Sequence, residues 1–423
     1  MNRREFIKSA GMATLGLGAA ACAPRGPKGA APIEGQVIQH YPGTGLLGYG
    51  CMRWPEEEDG EGGKRIIQEE VNRLVDEALS HGVNYFDTSP VYHGGDSERA
   101  AGEALVKRHP RDSFTLATKL HNGFFNSRED MEKVFADQLE QTGAGYFDFY
   151  LLHALQRNNY TKYDEYHIWD FARELKEKGL VKHYGFSFHA DPELLEELLT
   201  AHPDVEFVQL QINYADWENP AIKSRECYEV VRRHGKSVVI MEPVKGGLLA
   251  DPPEAVANIL KAAEPDMSVA SWAVRFAADL EGLITVLSGM SSVEQMKDNL
   301  SYMKDFRGLT ASERETIAKA QEEMAKIDLI PCTSCNYCAK VCPKDIGISG
   351  SFTAMNLLTL YGNKDFAAGQ EGFLVGAYGR QFAKNCVKCG KCEQVCPQHI
   401  AIRDNLEKVA ATFPHEDPAP AEA

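Results

Sequence analysis

Two cysteine runs near the C-terminus constrain this chain more than any other feature: Cys332-x-x-Cys335-x-x-Cys338-x-x-x-Cys342-Pro343 and Cys386-x-x-Cys389-x-x-Cys392-x-x-x-Cys396-Pro397. Three thiolates within seven residues crowd a single ion. A structural zinc takes four ligands, usually from two separated Cys-x-x-Cys knuckles, so zinc and disulfides are the lesser readings. This spacing suits a [4Fe–4S] cube. Eight cysteines in the register imply two cubes, and two cubes imply one-electron transfer.

The rest of the chain is large enough to bury a core of its own, with 423 residues of which 43% are hydrophobic. Lys and Arg number 45 against 61 Asp and Glu, a formal charge of −16. That balance argues against nucleic acid or an anionic membrane surface as a partner. Of the 11 cysteines, Cys22, Cys51 and Cys227 stand outside the runs, which is no secreted disulfide framework. Cys51, on an expected first strand, and Cys227, on an expected helix, read as small buried hydrophobes.

Residues 1–22 read as a targeting segment. Asn2-Arg3-Arg4-Glu5-Phe6-Ile7-Lys8 resembles a twin-arginine export signal, followed by an apolar stretch at 10–21. That stretch is shorter than the ~20 residues a bilayer span needs. Ala19-Ala20-Ala21 offers a small-residue cut site, and Cys22 after it offers a second outcome, lipidation of a new N-terminal cysteine. Ala19 stands where bacterial lipoproteins usually have leucine. The expected location is therefore periplasmic or lipid-anchored outside the cytoplasm, with membrane contact only through Cys22. Export of a folded chain suits iron–sulfur clusters, which can be inserted first in the reducing cytoplasm. Residues 23–36 read as a Pro/Gly/Ala linker.

From 37 to 306 the pattern alternates strand and helix. Candidate strands are 46–53, 83–89, 114–120, 146–153, 182–188, 206–214, 237–242 and 283–288, with helices such as 66–80, 130–141 and 163–178 between them. Eight such units suit an α/β fold of the (β/α)8 barrel type. An open doubly wound sheet is the alternative, weakened because no G-x-G-x-x-G follows the first strand. In a barrel of this kind the chemistry sits at the C-terminal ends of the strands. Those ends are polar here: Asp87 and Tyr92, Lys119 and His121, His153, Ser187 and His189, Glu242 and Lys245. His93, His121 and His189 ring the expected mouth, and Trp54 and Trp217 would wall a pocket for an apolar or ring-shaped substrate.

The segment Asn84-Tyr85-Phe86-Asp87-Thr88-Ser89-Pro90-Val91-Tyr92, followed by Gly94, Ser97 and Glu98, resembles the aldo-keto reductase signature. Lys119 and His153 complete that family's tetrad. The resemblance implies carbonyl–alcohol interconversion with Tyr92 as general acid. Lys119 would lower its pKa, Asp87 would hold Lys119, and His153 would orient the carbonyl oxygen. For a nicotinamide cofactor it implies contacts from Ser187 and Gln209, with Phe188 in place of the family's Asn. Met241 stands for a stacking aromatic and Glu242 for a serine near the pyrophosphate, with Lys245 to compensate and Gly246 and Gly247 permitting close approach. Gly289, Met290 and Gln295 fall on the 2′-phosphate clamp and carry no charge, while Asn299 matches the adenine side. The implied cofactor is NAD(P) without strong NADP preference.

The C-terminal part resembles dicluster ferredoxin domains. That likeness implies crossed ligation: Cys332, Cys335, Cys338 and Cys396 around one cube, and Cys386, Cys389, Cys392 and Cys342 around the other. A helical linker is expected over 307–330, with its helix opened by a Ser312-x-x-Glu315 cap. The cluster domain is expected over 331–410, helical at 352–361 and 373–382, and a disordered tail over 411–423. Electrons for a small carbonyl or alcohol substrate would come from NAD(P)H, from the two clusters, or from both, with an electron-transfer protein as partner. The other readings are an electron-transfer subunit with a vestigial reductase site, and a nicotinamide-independent redox enzyme fed by the clusters.

Overall fold

The computed structural model describes residues 43–414, apart from 61–62, 158, 221, 333, 335, 377–378 and 397. The export signal with Cys22, the 23–36 linker, Cys335 and most of the expected tail lie outside the described residues.

Among the described residues ten strands are formed: β1 (Leu47–Gly50), β2 (Glu56–Glu58), β3 (Lys64–Ile66), β4 (Tyr85–Asp87), β5 (Thr115–His121), β6 (Phe147–Leu155), β7 (Val181–Phe188), β8 (Phe207–Gln211), β9 (Ser237–Met241) and β10 (Leu283–Ser288). Eight of them close in the order β1-β10-β9-β8-β7-β6-β5-β4. Every neighbouring pair is parallel, and β1 joins β10 to β4. This is the expected (β/α)8 barrel, and the closing ladders rule out the open sheet.

The period-two alternation of strands assigns the barrel interior. Tyr85, Ala117, Phe149, Leu151, Phe207, Val239, Ile284 and Leu287 pack together as its apolar filling. Counting on by two along the same strands gives Asp87 above Tyr85, Lys119 above Ala117, His153 above Leu151, Gln209 above Phe207 and Met241 above Val239. The polar strand ends thus form the top layer of a packed interior, with apolar layers closing the floor beneath them. Alternate residues such as Phe86, Leu116, Tyr150 and Phe186 face outward into the larger core beneath the helices.

Several expected boundaries move, each for a local reason. The first strand stops at Gly50, and Cys51–Arg53 turn as a short 3₁₀ segment. Cys51 is buried there, as Cys227 is on its helix. β2 and β3 form an antiparallel hairpin that the charged sequence did not announce. Its charges pair across the strands, Arg65 with Glu57 at 2.8 Å and Lys64 with Glu56 at 3.8 Å. The helix expected at 163–178 is two, Tyr160–Glu165 and Ile168–Glu177, parted at His167 with φ 54°.

The expected linker over 307–330 is instead an outer layer of the barrel. Its helix, Ala311–Met324, is capped by Thr310 and Glu313, one such motif earlier than the Ser312–Glu315 pair. Ile317, Ala320 and Met324 pack on Tyr214, Leu249, Leu260 and Trp272. The module that follows is helical, with helices at Tyr337–Val341, Ile348–Tyr361, Lys364–Glu371, Lys391–Gln394 and Ile402–Thr412. Of the helix expected at 373–382, the described part is a π-helical turn at Gly372–Gly376, residues 377–378 lie outside the described residues, 379–382 are not helical, and a 3₁₀ turn follows at Ala383–Asn385. The tail also begins later than 411, since the last helix runs to Thr412 and Phe413 is buried. Among the described residues no helix is long and apolar enough to cross a membrane.

Candidate active site

Four side chains from three strands and one turn meet at the barrel mouth. The Lys119 Nζ donates to Asp87 Oδ1 at 2.5 Å, to the Thr88 carbonyl at 2.8 Å and to the Tyr92 hydroxyl at 3.1 Å. Asp87 and Lys119 are both buried, 2% and 1% exposed. The Tyr92 ring stands edge-on to His153, with centroids 6.2 Å apart. Ser89 Oγ lies 3.2 Å from His153 Nδ1, and the Tyr163 hydroxyl donates to the His153 carbonyl at 2.6 Å. The turn carrying Tyr92 runs through left-handed His93 and Gly94, at φ 52° and 64°, which brings the phenol back over the strand ends.

Electrostatics here is set first by desolvation. Burial pushes the Tyr92 phenol above its ordinary value, and the pull of the Lys119 ammonium only partly offsets it. Lys119 does favour the phenolate, as expected, yet the net direction is upward, so the phenol is held in its proton-donating form. Burial also raises Asp87, against the pull of Lys119. For Lys119 burial works downward, but Asp87 and Tyr92 outweigh it and the net direction is upward. Burial, together with Lys119, His121 and His189, drives His153 well below its ordinary value, so it is neutral.

Behind Lys119 lies a network the sequence reading passed over. Glu98 is 1% exposed and accepts from Thr118 and from Gln138, the latter at 2.9 Å. Gln138 also donates to the Lys119 carbonyl at 2.9 Å and accepts from the Tyr150 hydroxyl at 2.9 Å. Burial pushes the Glu98 carboxyl up to about 7.

The residues expected around a nicotinamide are brought together in part. Ser187 and Gln209 are register partners on β7 and β8. The Ser187 hydroxyl accepts from the Ala154 N–H at 2.7 Å. Gln209 Oε1 is buried without a hydrogen-bond partner among the described residues; such an orphan suits the carboxamide N–H of a nicotinamide. Met241 ends β9, and Lys245, Gly246 and Gly247 lie in the turn after it. The Lys245 backbone N–H donates to the Glu242 carbonyl at 3.0 Å, but its side-chain Nζ donates to buried Asp216 at 2.5 Å. Gln295 is engaged by the Ser291 N–H at 2.7 Å. The Asn299 amide is taken up by Ser288, the Gln295 carbonyl and Tyr302. His93 is held by Glu56 at 2.6 Å and by the Trp54 N–H at 3.2 Å, so it serves the hairpin, while His121 meets His153 edge-on at 5.4 Å.

In the C-terminal module the thiols stand around two cavities. Cys342 joins Cys386, Cys389 and Cys392 about one of them. Cys396 joins Cys332 and Cys338 about the other, Cys335 lying outside the described residues. Each run therefore lends its proline-side cysteine to the other cavity. The backbone N–H groups of Ile346 and Lys388 point at the sulfurs of Cys342 and Cys386, both at 3.4 Å. Amide donors to cluster sulfur are among the features that set cluster potential. Donor set and spacing fit [4Fe–4S] cubes.

Residues 46–322 match the profile of the Aldo/keto reductase family. The chain belongs to that family. A 4Fe-4S dicluster domain matches residues 331–401. The uncharacterized oxidoreductase YqkF of Bacillus subtilis (strain 168) is 26% identical over 315 residues, 67% of this chain and 93% of the relative. L-galactose dehydrogenase of Arabidopsis thaliana is 23% identical over 282 residues, 63% of this chain and 85% of the relative. Among solved structures, the holo form of aldo-keto reductase AKR11C1 from Bacillus halodurans aligns at a TM-score of 0.53 and 26% identity, covering 67% of this chain and 96% of that one. An aldo-keto reductase from Klebsiella pneumoniae in complex with NADPH aligns at 0.54 and 17%, over 68% and 95% of the two chains, a likeness of fold.

This aldo/keto reductase makes contacts around the barrel mouth that sequence reasoning missed. Asp216, which holds Lys245, sits in the segment after β8, just past the expected strand end and beside Trp217, but was not singled out. Arg53 follows β1 in a stretch read as strand. Phe366 and Tyr361 belong to the module's helices and gave no signal of contact with the barrel.

Proposed function

We propose that the protein is an exported iron–sulfur oxidoreductase that interconverts a small carbonyl compound and its alcohol at the barrel mouth. The contact chain Tyr92–Lys119–Asp87, at 3.1 and 2.5 Å, carries this reading. It places a protonated phenol, a buried cation and that cation's counter-ion in line where a carbonyl oxygen would enter. Tyr92 gives its proton to the developing alkoxide. The phenolate left behind is stabilised by the Lys119 ammonium in a desolvated setting, where the attraction is stronger than in water. Neutral His153 adds a hydrogen bond: in the tautomer where Ser89 donates to Nδ1, the ring proton is on Nε2 and would orient the substrate oxygen.

A nicotinamide, when bound, supplies or takes the hydride. Gln209 Oε1 and the Ser187 hydroxyl would hold its carboxamide, and Met241 would cover its ring. The eight cysteines would hold two [4Fe–4S] clusters in the crossed pattern and exchange single electrons with a redox protein outside the cytoplasm. The twin-arginine segment supports export.

The test is Tyr92→Phe, which removes one hydroxyl. Carbonyl turnover falls by about 10²-fold or more, the usual worth of a positioned general acid, while iron content and dye reduction by the clusters stay unchanged. Full turnover in the variant removes Tyr92 from the mechanism. If no carbonyl substrate is found for the parent, and both proteins reduce the dye equally, the electron-transfer reading takes its place.

A further inference from the structure

The iron–sulfur module is seated on the turn after β9, the turn that faces a dinucleotide's phosphates in the nicotinamide reading. Leu248 of that turn lies in the module's own apolar core, beside Phe352 and the module's Phe366. Tyr361, at the end of a module helix, packs against the barrel cluster that contains Tyr214. The Phe366 ring comes within 3.1 and 3.3 Å of the point where a Cβ on Gly246 would stand. Arg53 Nη2 comes within 3.3 Å of the same point, and the Arg53 stem lies 3.2–3.3 Å from a Cβ on Gly289. Arg53 therefore spans from the loop after β10 to the turn after β9, and Phe366 meets it there from the module.

Charge singles out Arg53. Lys245 is tied to Asp216 at 2.5 Å, and Gly289, Met290 and Gln295 are uncharged. Among the described residues the exposed Arg53 guanidinium has no side-chain hydrogen bond or ion pair, and its charge acts on the buried Glu242 carboxyl, drawing it down against the larger effect of burial. A guanidinium offers a planar fork that matches phosphate oxygens two at a time. Gly246 and Gly289, lacking side chains, let Phe366 and Arg53 come this close to the backbone.

We propose that Arg53 and Phe366 form a two-module clasp over the diphosphate of the bound dinucleotide. Arg53 supplies the cation that the loop after β10 lacks, and Phe366 makes the iron–sulfur module one wall of the nucleotide site. This rests on the nicotinamide reading above. Nucleotide exchange then requires the Phe366 wall to move, so the dinucleotide behaves as a resident cofactor.

The test is calorimetric titration and stopped-flow release on the full holoprotein, prepared without oxygen, with ADP-ribose, NADH and NADPH as probes. Arg53→Met weakens ADP-ribose by about tenfold or more, the scale of a lost charge-assisted hydrogen bond, and Arg53→Lys recovers part of it. Phe366→Ala speeds release. Iron content and far-UV circular dichroism of each variant stay as in the parent. If Arg53 and Phe366 merely plug the channel, the substitutions tighten binding, and the clasp is overturned. Unchanged affinity and release in both variants overturn it equally, with the nicotinamide reading intact. A parent protein that binds none of the three probes overturns that reading and the clasp with it.

Discussion

Replacing Glu98 by glutamine tests whether the buried network behind Lys119 is held by a proton. In the folded protein burial raises this carboxyl from 4.5 to about 7. Its pKa is higher folded than unfolded, so folding favours the protonated form. The stability this contributes is full below about pH 4.5, declines between 4.5 and 7, and is gone above. At about 1.4 kcal/mol per pH unit, the window is worth roughly 3 kcal/mol. The Glu98→Gln side chain would keep the acceptor that Thr118 and Gln138 use, with no charge to desolvate. The variant should match the parent near pH 4.5 and exceed it by roughly 3 kcal/mol above pH 7.5, a gain of several degrees in Tm. Thermal melts of holoprotein at four pH values between 5 and 8.5 measure the difference. Infrared difference spectra should show a protonated carboxyl that disappears around pH 7 in the parent and is missing in the variant. A stability difference that does not change with pH, or a variant less stable than the parent at pH 8, would refute the argument.

Further outcomes follow from the same geometry. Lys119→Met should destabilise the fold by about 3–5 kcal/mol, because Asp87 is left charged and buried; adding Asp87→Asn should restore stability in denaturant titrations without restoring turnover. Since burial holds Tyr92 above its ordinary 10, the rate of carbonyl reduction should show no loss of the acid form through neutral pH and fall only in strong alkali. Crossed ligation predicts that Cys342→Ser with Cys386→Ser damages one cluster and leaves about four of about eight irons, whereas Cys342→Ser with Cys332→Ser damages both. Iron analysis and low-temperature EPR separate these from run-by-run ligation, which reverses the pattern. Changing Arg3 and Arg4 together to Lys should retain the precursor in the cytoplasm, read by fractionation; normal export would refute the signal.

The barrel was legible because its strands are buried on both faces and read as apolar runs ending in polar residues. The tetrad was legible because four reactive types stand at successive ends. Other features depend on contacts between distant segments. Lys245 looked like a partner for Glu242, three residues away, but Asp216 from the preceding loop holds it at 2.5 Å. Arg53 looked like strand, but β1 stops at Gly50 and the turn carries it across to Gly289. The linker helix was recognisable as a helix, while its packing on Tyr214 and Trp272 was not. The cap was misplaced for a simpler reason: Thr310-x-x-Glu313 and Ser312-x-x-Glu315 both satisfy the motif, and only geometry chooses.

Leu248 bears on how the chain can be taken apart. It grows from a barrel turn yet completes the hydrophobic interior of the other module, and Tyr361 crosses the opposite way into the cluster around Tyr214. Neither half is closed without the other. Ending the chain before the cysteine runs would strip Leu248 of its neighbours in that interior and the cluster around Tyr214 of its Leu360 and Tyr361 cover, a ready surface for aggregation. Melting should therefore be a single cooperative event in which loss of iron and loss of the barrel coincide.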